Sequence, residues 1–428
     1  MTTTFPKRGS NPDNRFQPFC LEQPHQQSKS HIKTIGPFIL ITLIVGWIIL
    51  LPQGQRMLSP ESEPPKGMIE ITNDNELATI ANSGVGSAND PYIIAGWNIK
   101  GSTTHGIFIT GTTKHFRIEN CSVYACERGI VVESVASGTV TITNNTCKRN
   151  EEAGIEIDDS RSSNITNNTC NSNDVGISLE DSGSSTLSGN SIHANGFDGI
   201  SLWNSENSTI SGNFITNNGF FYYFGLQAGI SLWNSGSSTL SNNTVSQNGE
   251  VGIDLEDSGF STVANNTCNN NGGGGIRLEH SFRGSSDNNS IVWNTLARNG
   301  AYGIALSEES ANNVILHNNF ITNGQNTSQA CDNGTNNQWY DETVLEGNHW
   351  SDYTGTGNYS IAGSAGAMDP YPLLSPLPIP TSSPYTIIPD PKEIDPIDVS
   401  LLTRIGLFLF IIGIGLLWTL LNKKYGLK

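Results

Sequence analysis

The sequence predicts an all-β solenoid, a parallel β-helix in which short strands stack coil on coil. The first observation is a Gly-Ile pair that recurs nine times at intervals of 22 to 30 residues, at Gly106, Gly129, Gly154, Gly176, Gly199, Gly229, Gly252, Gly275 and Gly303. The second is a further alternating run about ten residues after most of these pairs, which ends in Asn145, Asn168, Asn190, Asn213, Asn243 and Asn266. A period of about 23 residues with two or three short strands per unit is typical of one β-helix coil.

Composition supports this class and excludes others. The 428 residues include 45 Gly, and only 14% of residues are charged, which argues against helical bundles and coiled coils. The 22 Lys and Arg stand against 39 Asp and Glu, a net charge of −17. A chain this acidic, with no basic stripe, is not expected to bind nucleic acid.

The repeat also predicts what each position does. In each Gly-Ile strand the alternation places Ile, Leu and Val inside and the residues between them outside. Cys147, Cys170 and Cys268 fall in one inward column, where we expect them to fill the core as small apolar residues. The recurring Asn should form a column whose amides bond from coil to coil. Cys121 and Cys126, within one coil, are the pair to test for a disulfide.

Two apolar segments predict membrane spans at residues 35–51 and 401–421. A cleaved signal peptide is the alternative for the first segment. Lys and Arg dominate both tails, so both termini are expected in the cytoplasm and the middle of the chain outside the cell. The predicted organisation is a disordered tail 1–34, the span 35–51, a linker 52–67, an ectodomain 68–373 with caps at 68–100 and 337–373, a Pro-rich stalk 374–400, the span 401–421 and a basic tail 422–428.

Three stretches carry a family resemblance. They are SANDPYIIAGWNI (87–99), the NNTC and GISL coil series, and WYDETVLEGNHWSDYTGTGNYSI followed by DPYPL (339–373). The chain resembles the right-handed β-helix of the pectin-lyase-like superfold and, more narrowly, the NosD-like family, which shares its repeat with the carbohydrate-binding and sugar-hydrolase group. This resemblance implies the fold and leaves function open, because such scaffolds include lyases, hydrolases, epimerases and inert binders.

The outward positions of the Gly-Ile strands are the most informative for function. One column contains Thr110, Glu133, Asp158, Glu180, Trp203, Trp233, Glu256, Glu279 and Ser307. Aromatic faces cover sugar rings and carboxylates accept bonds from hydroxyls, so we predict a ligand-binding surface formed by Trp203, Trp233, Asp158, Glu180, Asn204 and Asn234. The alternatives are a cover formed by the aromatic insertion 219–227, or contact with a protein partner or membrane.

The same sheet contains candidates for catalysis and for metal binding. The resemblance implies lyases that use Ca²⁺ with an Arg or Lys base, or hydrolases that use clustered carboxyl groups. The best cluster for either reaction is Asp254, Glu256, Arg277, Glu279 and His280. Calcium is expected at Asp254, Glu256 and Glu279, or at Asp158, Asp159, Glu180 and Asp181. Copper is disfavoured, because the His residues are scattered and no thiol or thioether cluster is present.

The predicted function is therefore a membrane-anchored extracellular module that binds carbohydrate or a cell-envelope protein. The first alternative is a Ca²⁺-dependent lyase or a hydrolase that acts on acidic glycans. The second is a structural envelope spacer or a NosD-like accessory protein. Several Asn-x-Ser/Thr sequons, with Asn326 and Asn333 as the best placed, predict a glycoprotein.

Overall fold

Three parallel sheets run side by side along the chain in the computed structural model, which describes residues 67–219, 227–281, 284–324 and 328–378. The strand order within each sheet advances by three, except at the final step of the third sheet, so every coil but the last adds one strand to each sheet. This topology over about ten coils confirms the predicted parallel β-helix.

The first sheet has 11 strands and contains the Gly-Ile segments. Its strands are Ile69–Ile71 (β1), His105–Thr110 (β4), Arg128–Glu133 (β7), Ala153–Asp158 (β10), Val175–Glu180 (β13), Ile200–Trp203 (β16), Ala228–Trp233 (β19), Val251–Glu256 (β22), Ile276–Glu279 (β25), Ile304–Leu306 (β28) and Ala330–Asp332 (β31). Six-residue strands dominate this sheet, so each of its coils has more outward positions than in the other two sheets.

The other two sheets consist of shorter strands. The second has 10: Tyr92–Ala95 (β2), Phe116–Glu119 (β5), Val140–Thr143 (β8), Asn164–Thr166 (β11), Thr186–Ser188 (β14), Thr209–Ser211 (β17), Thr239–Ser241 (β20), Thr262–Ala264 (β23), Ser290–Val292 (β26) and Val314–Leu316 (β29). The third has 11: Asn98–Lys100 (β3), Ser122–Tyr124 (β6), Thr146–Lys148 (β9), Thr169–Asn171 (β12), Ser191–His193 (β15), Phe214–Thr216 (β18), Thr244–Ser246 (β21), Thr267–Asn269 (β24), Thr295–Ala297 (β27), Asn319–Ile321 (β30) and His349–Trp350 (β32). Tyr359–Ser360 (β33) and Met368–Asp369 (β34) form a small antiparallel pair.

The interior consists of stacked aliphatic columns, as the alternation predicts. Ile155 pairs in register with Ile130 on one side and Ile177 on the other, and all three side chains are fully buried. The recurring Gly has a steric cause. A Cβ on Gly252 would lie 2.6 Å from the Gly275 carbonyl oxygen and 2.8 Å from Nδ2 of Asn271, closer than a side chain can approach.

The cysteine predictions divide. Cys147 pairs with Cys170, and Cys268 occupies the same column, so the predicted core role is confirmed. The tested bridge between Cys121 and Cys126 is wrong, because both carry free thiols. They lie on either side of β6, and five residues of extended chain at about 3.3 Å each exceed the Cα separation of a disulfide.

The predicted asparagine column is confirmed, and each amide bonds forward and backward. Oδ1 of Asn168 accepts from the backbone N–H of Asn145 at 3.0 Å, and its Nδ2 donates to the Ile142 carbonyl at 2.9 Å.

Two further columns were not predicted. A second amide ladder follows five residues after the first, and a Ser-x-x-Ser ladder lines the remaining turn. The second ladder contains Asn150, Asn173, Asn195, Asn218, Asn248, Asn271 and Asn299.

A short helix, Asp74–Ile80 (α1), lies at the N-terminal end of the solenoid and was not predicted. Asn73 caps it, because its Oδ1 accepts from the backbone N–H of both Asn75 and Glu76 at 3.0 Å. The helix buries Leu77 against the core, whereas Tyr92 and Trp97 are only partly buried there.

Aromatic side chains cover the C-terminal end of the core. Trp350 stacks between Phe320 and Tyr359, with ring centroids 4.1 and 4.0 Å away. Trp339 is equally buried, and both indole N–H groups donate to buried carboxylates, Trp339 to Asp332 at 2.8 Å and Trp350 to Asp369 at 2.9 Å.

The predicted membrane spans, 35–51 and 401–421, lie outside the described residues, as do the tails and nearly all of the linker and stalk. Within the part of the chain that the structure describes, no helix has the length and apolar character needed to cross a bilayer.

Candidate functional site

One outward row of the first sheet brings together six of the predicted site residues. In successive coils, each residue is the register partner of the next, and the row contains Glu133, Asp158, Glu180, Trp203, Trp233, Glu256 and Glu279. We call these seven residues the outer column. At a strand spacing of about 4.8 Å, they extend over about 29 Å parallel to the solenoid axis.

The two tryptophans occupy the centre of the outer column and contact each other. Their ring planes are nearly perpendicular, at 79°. Both side chains are half-buried, less exposed than the outward alternation alone suggests. The aromatic insertion that could cover them falls at residues 220–226, outside the described residues, so the alternative of a loop cover stays a prediction.

Short polar side chains surround the tryptophan pair. The neighbouring outward row, which we call the inner column, contains Glu156, Ser178, Ser201, Ser231, Asp254 and Arg277. In the turn that follows each tryptophan, Asn234 Nδ2 donates to Asn204 Oδ1 at 2.8 Å. Both asparagines have φ of 47°, a left-handed conformation that Asn tolerates better than most residues. Serine hydroxyls and amides therefore lie on both sides of the indole rings.

On the N-terminal side of the tryptophans lie Glu133, Asp158 and Glu180, which we call the upstream acidic group. Asp158 has a carboxylate neighbour in both adjacent coils. Burial and the charges of Glu180 and Glu133 raise the pKa of Asp158 to about 6. Burial and the charge of Asp181 also raise the pKa of Glu180. Among the described residues, none of the three takes part in an ion pair.

A cation that sequence reasoning missed pairs with the first residue of the inner column. Arg128 Nη1 lies 3.1 Å from Oε1 of Glu156, and its Nε pairs with Glu152. Burial raises the pKa of Glu156 to about 7, although Arg128 opposes this shift. Arg128 precedes its Gly-Ile pair, so the outward positions counted from that pair did not include it.

On the C-terminal side lie Asp254, Glu256 and Glu279, the downstream acidic group. Arg277 binds Asp254 through two hydrogen bonds, Nε to Oδ1 at 3.1 Å and Nη2 to Oδ2 at 2.7 Å. Its Nε also lies 3.0 Å from Oε1 of Glu279. Asp254 is 2% exposed and Arg277 is 8% exposed, so this is a buried ion network rather than an open surface.

This geometry weakens the predicted role of Arg277 as a base. The charges of Asp254 and Glu279 raise the pKa of Arg277 further above its usual range, so the guanidinium keeps its proton. His280, the other candidate, has its Nε2 3.0 Å from Oε2 of Glu309. The structure thus groups the oxygens of Asp254, Glu256 and Glu279, and it joins Arg277 to two of these residues. His280 is not a member of that group.

The two predicted calcium sites differ. The ligand oxygens of Asp254, Glu256 and Glu279 lie within 4.8 Å of one another, the one such group among the described residues. Both oxygens of Asp254 already accept from Arg277, so Ca²⁺ would have to displace a guanidinium. The second predicted set, Asp158, Asp159, Glu180 and Asp181, does not bring three ligand atoms within that distance.

A shallow groove beside the tryptophans was not predicted. Its lining includes Glu206, Asn234, Asp257, Phe260 and Ser285. Phe260 is 70% exposed, the most exposed aromatic side chain among the described residues. It lies in a turn rather than a strand, so the alternation carried no signal for it.

Two family models match the chain. Residues 153–320 match the right handed beta helix region, and residues 66–224 match the periplasmic copper-binding protein NosD. A comparison with curated proteins found no match.

Several solved structures are similar to this chain. The Azotobacter vinelandii mannuronan C-5 epimerase AlgE6 A-module is 16% identical, covers 58% of this chain and 75% of its own, and has a TM-score of 0.44. The Dettilon tailspike protein is 15% identical, covers 58% of each chain, and has a TM-score of 0.43. The periplasmic alginate epimerase AlgG is 16% identical, covers 64% of this chain and 84% of its own, and has a TM-score of 0.40.

The class that the topology and the first match define is the right-handed parallel β-helix. Within that class, residues 66–224 match the NosD family model, and the predicted resemblance is confirmed. The one group of three possible metal ligands among the described residues consists of carboxylates, whereas copper favours imidazole or sulfur. That copper is disfavoured stays a prediction.

Proposed function

We propose that this protein binds a glycan along the first sheet, through the outer column. The observation that carries the proposal is the contacting pair Trp203 and Trp233, half-buried on an outward face and bordered by carboxylates in the coils on both sides. A contiguous patch of large aromatic side chains on a protein surface is a feature of ligand-binding grooves and interfaces.

The arrangement suits a sugar chain in two respects. Indole rings provide apolar area at a low loss of side-chain entropy, and the nearly perpendicular pair does not bury both rings face to face. Carboxylate and amide oxygens beside the rings can accept hydrogen bonds from sugar hydroxyl groups, and serine O–H and asparagine N–H groups can donate to them. Because the strands repeat every 4.8 Å or so, the column offers a similar set of groups at regular intervals to an extended polymer.

We further propose that the β-helix works outside the cytoplasm, anchored by the predicted segments 35–51 and 401–421. The charge distribution of the tails supports this orientation. The description of the matched NosD family as periplasmic agrees with it.

The test is glycan binding by the full-length chain in detergent, measured on an array of neutral, amino and acidic polysaccharides. Trp203→Ala with Trp233→Ala should weaken binding by about tenfold or more, because buried aromatic contacts dominate such interfaces. Trp293→Ala is the matched control, since Trp293 is 37% exposed but belongs to another face, where its ring contacts His317 at a tilt. Equal binding by all three proteins would refute the proposal.

A second candidate function is a lyase or hydrolase. The observation in its favour is the grouping of Asp254, Glu256 and Glu279 oxygens within 4.8 Å, close to His280 in the chain. The same glycan panel, incubated with Ca²⁺ or with chelator and assayed for new unsaturated or reducing ends, separates an enzyme from a binding module. Neither binding nor new ends would favour the structural spacer.

A further inference from the structure

We infer that the outer column selects glycans that carry amino groups, with a sugar ammonium held beside the tryptophans by the upstream acidic group. This inference rests on the proposed glycan-binding function and specifies the class of ligand. The argument uses the charges of the column, the pairing of its cations and the position of its accessible carboxylates.

The first step is the charge balance around the tryptophan pair. The outer column contains five carboxyl groups, in Glu133, Asp158, Glu180, Glu256 and Glu279, and no basic residue. The turn after the strands adds Asp159, Asp181 and Asp257. A uronate or sulfate polymer on this surface would face like charges at every coil except the two that carry tryptophan.

The second step is the state of the nearby cations. Arg128 is shared between Glu152 and Glu156, and Arg277 is shared between Asp254 and Glu279. Both arginines are therefore already neutralised by carboxylates of the protein. To bind an anionic sugar they would have to leave those partners, and Arg277 would leave two buried ones.

The third step is the position of the open carboxylates. Glu180 pairs in register with Trp203, and Asp158 pairs with Glu180, so two acids follow directly from the aromatic pair. Asp158 and Glu180 are half-buried and Glu133 is exposed, which leaves them within reach of a ligand. Their mutual repulsion would be relieved by a cation between them, and the raised pKa values of Asp158 and Glu180 agree with that repulsion.

The probes are two oligomers of equal length and linkage, one of glucosamine and one of N-acetylglucosamine, measured on the full-length chain at the same pH. We expect the glucosamine oligomer to bind about tenfold tighter, because two carboxylates each contribute a partly screened ion pair. This difference should shrink as salt is raised from 0.05 to about 0.5 M.

Variants separate the site from the general acidity of the chain. Asp158→Asn with Glu180→Gln should remove most of the preference for the charged oligomer. Asp90→Asn with Glu342→Gln removes the same two charges at exposed positions elsewhere, and should leave the preference intact. An oligolysine of equal charge should not depend on the tryptophans.

Each outcome is decisive. Tryptophan-dependent binding of the neutral oligomer without a gain for the charged one overturns this inference and leaves the proposed function in place. Tighter binding of a uronate oligomer also overturns it. Tryptophan-independent binding of every cation overturns this inference. Binding of neither sugar oligomer overturns it as well, and the glycan array then decides the proposed function separately.

Discussion

The two acidic groups on either side of the tryptophans have nearly the same composition and opposite internal organisation. The downstream acidic group surrounds Arg277, which donates to Asp254 and approaches Glu279 in a buried network. The upstream acidic group has no cation of its own, and its members are half-buried or exposed.

This difference indicates which charges serve the fold and which remain for a ligand. A buried carboxylate that accepts hydrogen bonds from a guanidinium has its charge compensated within the protein. Removing the guanidinium lowers the stability of the fold. A row of stacked carboxylates without a cation is repulsive in the folded state and is relieved by anything positive that binds. In the outer column, the downstream acidic group therefore stabilises the fold, whereas the upstream acidic group is suited to binding a ligand.

The largest effect is expected where the ion network is buried. Arg277→Met should lower the free energy of unfolding by about 3 to 5 kcal/mol, because Asp254 and Glu279 lose their partner in a buried site. Urea denaturation monitored by circular dichroism measures this.

The control for that variant is Arg161→Met. Arg161 lies 3.4 Å from Glu206, with both side chains more than two-fifths exposed, and an exposed pair of this kind contributes about 0 to 1 kcal/mol. Similar losses in the two variants would contradict the contrast between buried and exposed charge.

The same variant sharpens the comparison through calcium. Without Arg277, Asp254 loses both of its guanidinium hydrogen bonds, and its oxygens lie within 4.8 Å of those of Glu256 and Glu279. Excess Ca²⁺ should then return about 2 kcal/mol of stability to Arg277→Met. Wild type should gain less, since the guanidinium occupies the site. Equal gains by both proteins would show that calcium binds elsewhere.

A smaller effect is expected at the upstream acidic group, and it depends on pH. The pKa of Asp158 is raised to about 6 from 3.8, so the folded protein binds the proton more tightly than the unfolded chain. Stability is then lost as pH rises from about 4 through 6, and the loss is complete above that range. Allowing for solvent screening, Asp158→Asn should stabilise the protein by about 1 kcal/mol at pH 8 and by much less at pH 4.

Thermal unfolding of the wild type and Asp158→Asn at the two pH values measures this difference. Asp159→Asn, one residue further in the exposed turn, is the matched control and should change stability less. A variant that is less stable than wild type at pH 8 would mean that Asp158 makes favourable contacts that outweigh the repulsion.

The fold was predictable because every coil repeats the same pattern of apolar, polar and turn residues. The Gly-Ile period places inward and outward residues, and the register of the outer column follows from it residue by residue. The second amide ladder was equally visible, since Asn150 and its counterparts lie five residues after the first series. The prediction did not include it, because it used only the Asn that ends each alternating run.

The exposure of the outward side chains could not be predicted from the repeat. Alternation assigns Arg277 and Trp203 to the outward face alike, yet one is 8% exposed and the other is half-buried. Exposure on that face depends on the lengths of neighbouring side chains and on which of them pair. The pairing of Arg128 with Glu156 connects residues of adjacent strands at non-equivalent positions, which a column-by-column interpretation does not compare.

The ends of the polar ladders determine where the solenoid can stop. An asparagine extends a ladder to the next coil, because its amide oxygen accepts from the preceding coil while its N–H groups donate to neighbouring atoms. Asp369 accepts from the backbone N–H of Asn348, and Asp332 accepts from Nδ2 of Asn337, but a carboxylate has nothing to donate onward. These two aspartates therefore end the ladders of side-chain hydrogen bonds. A coil duplicated before them should extend the protein in phase, whereas one added after them would find no ladder to continue.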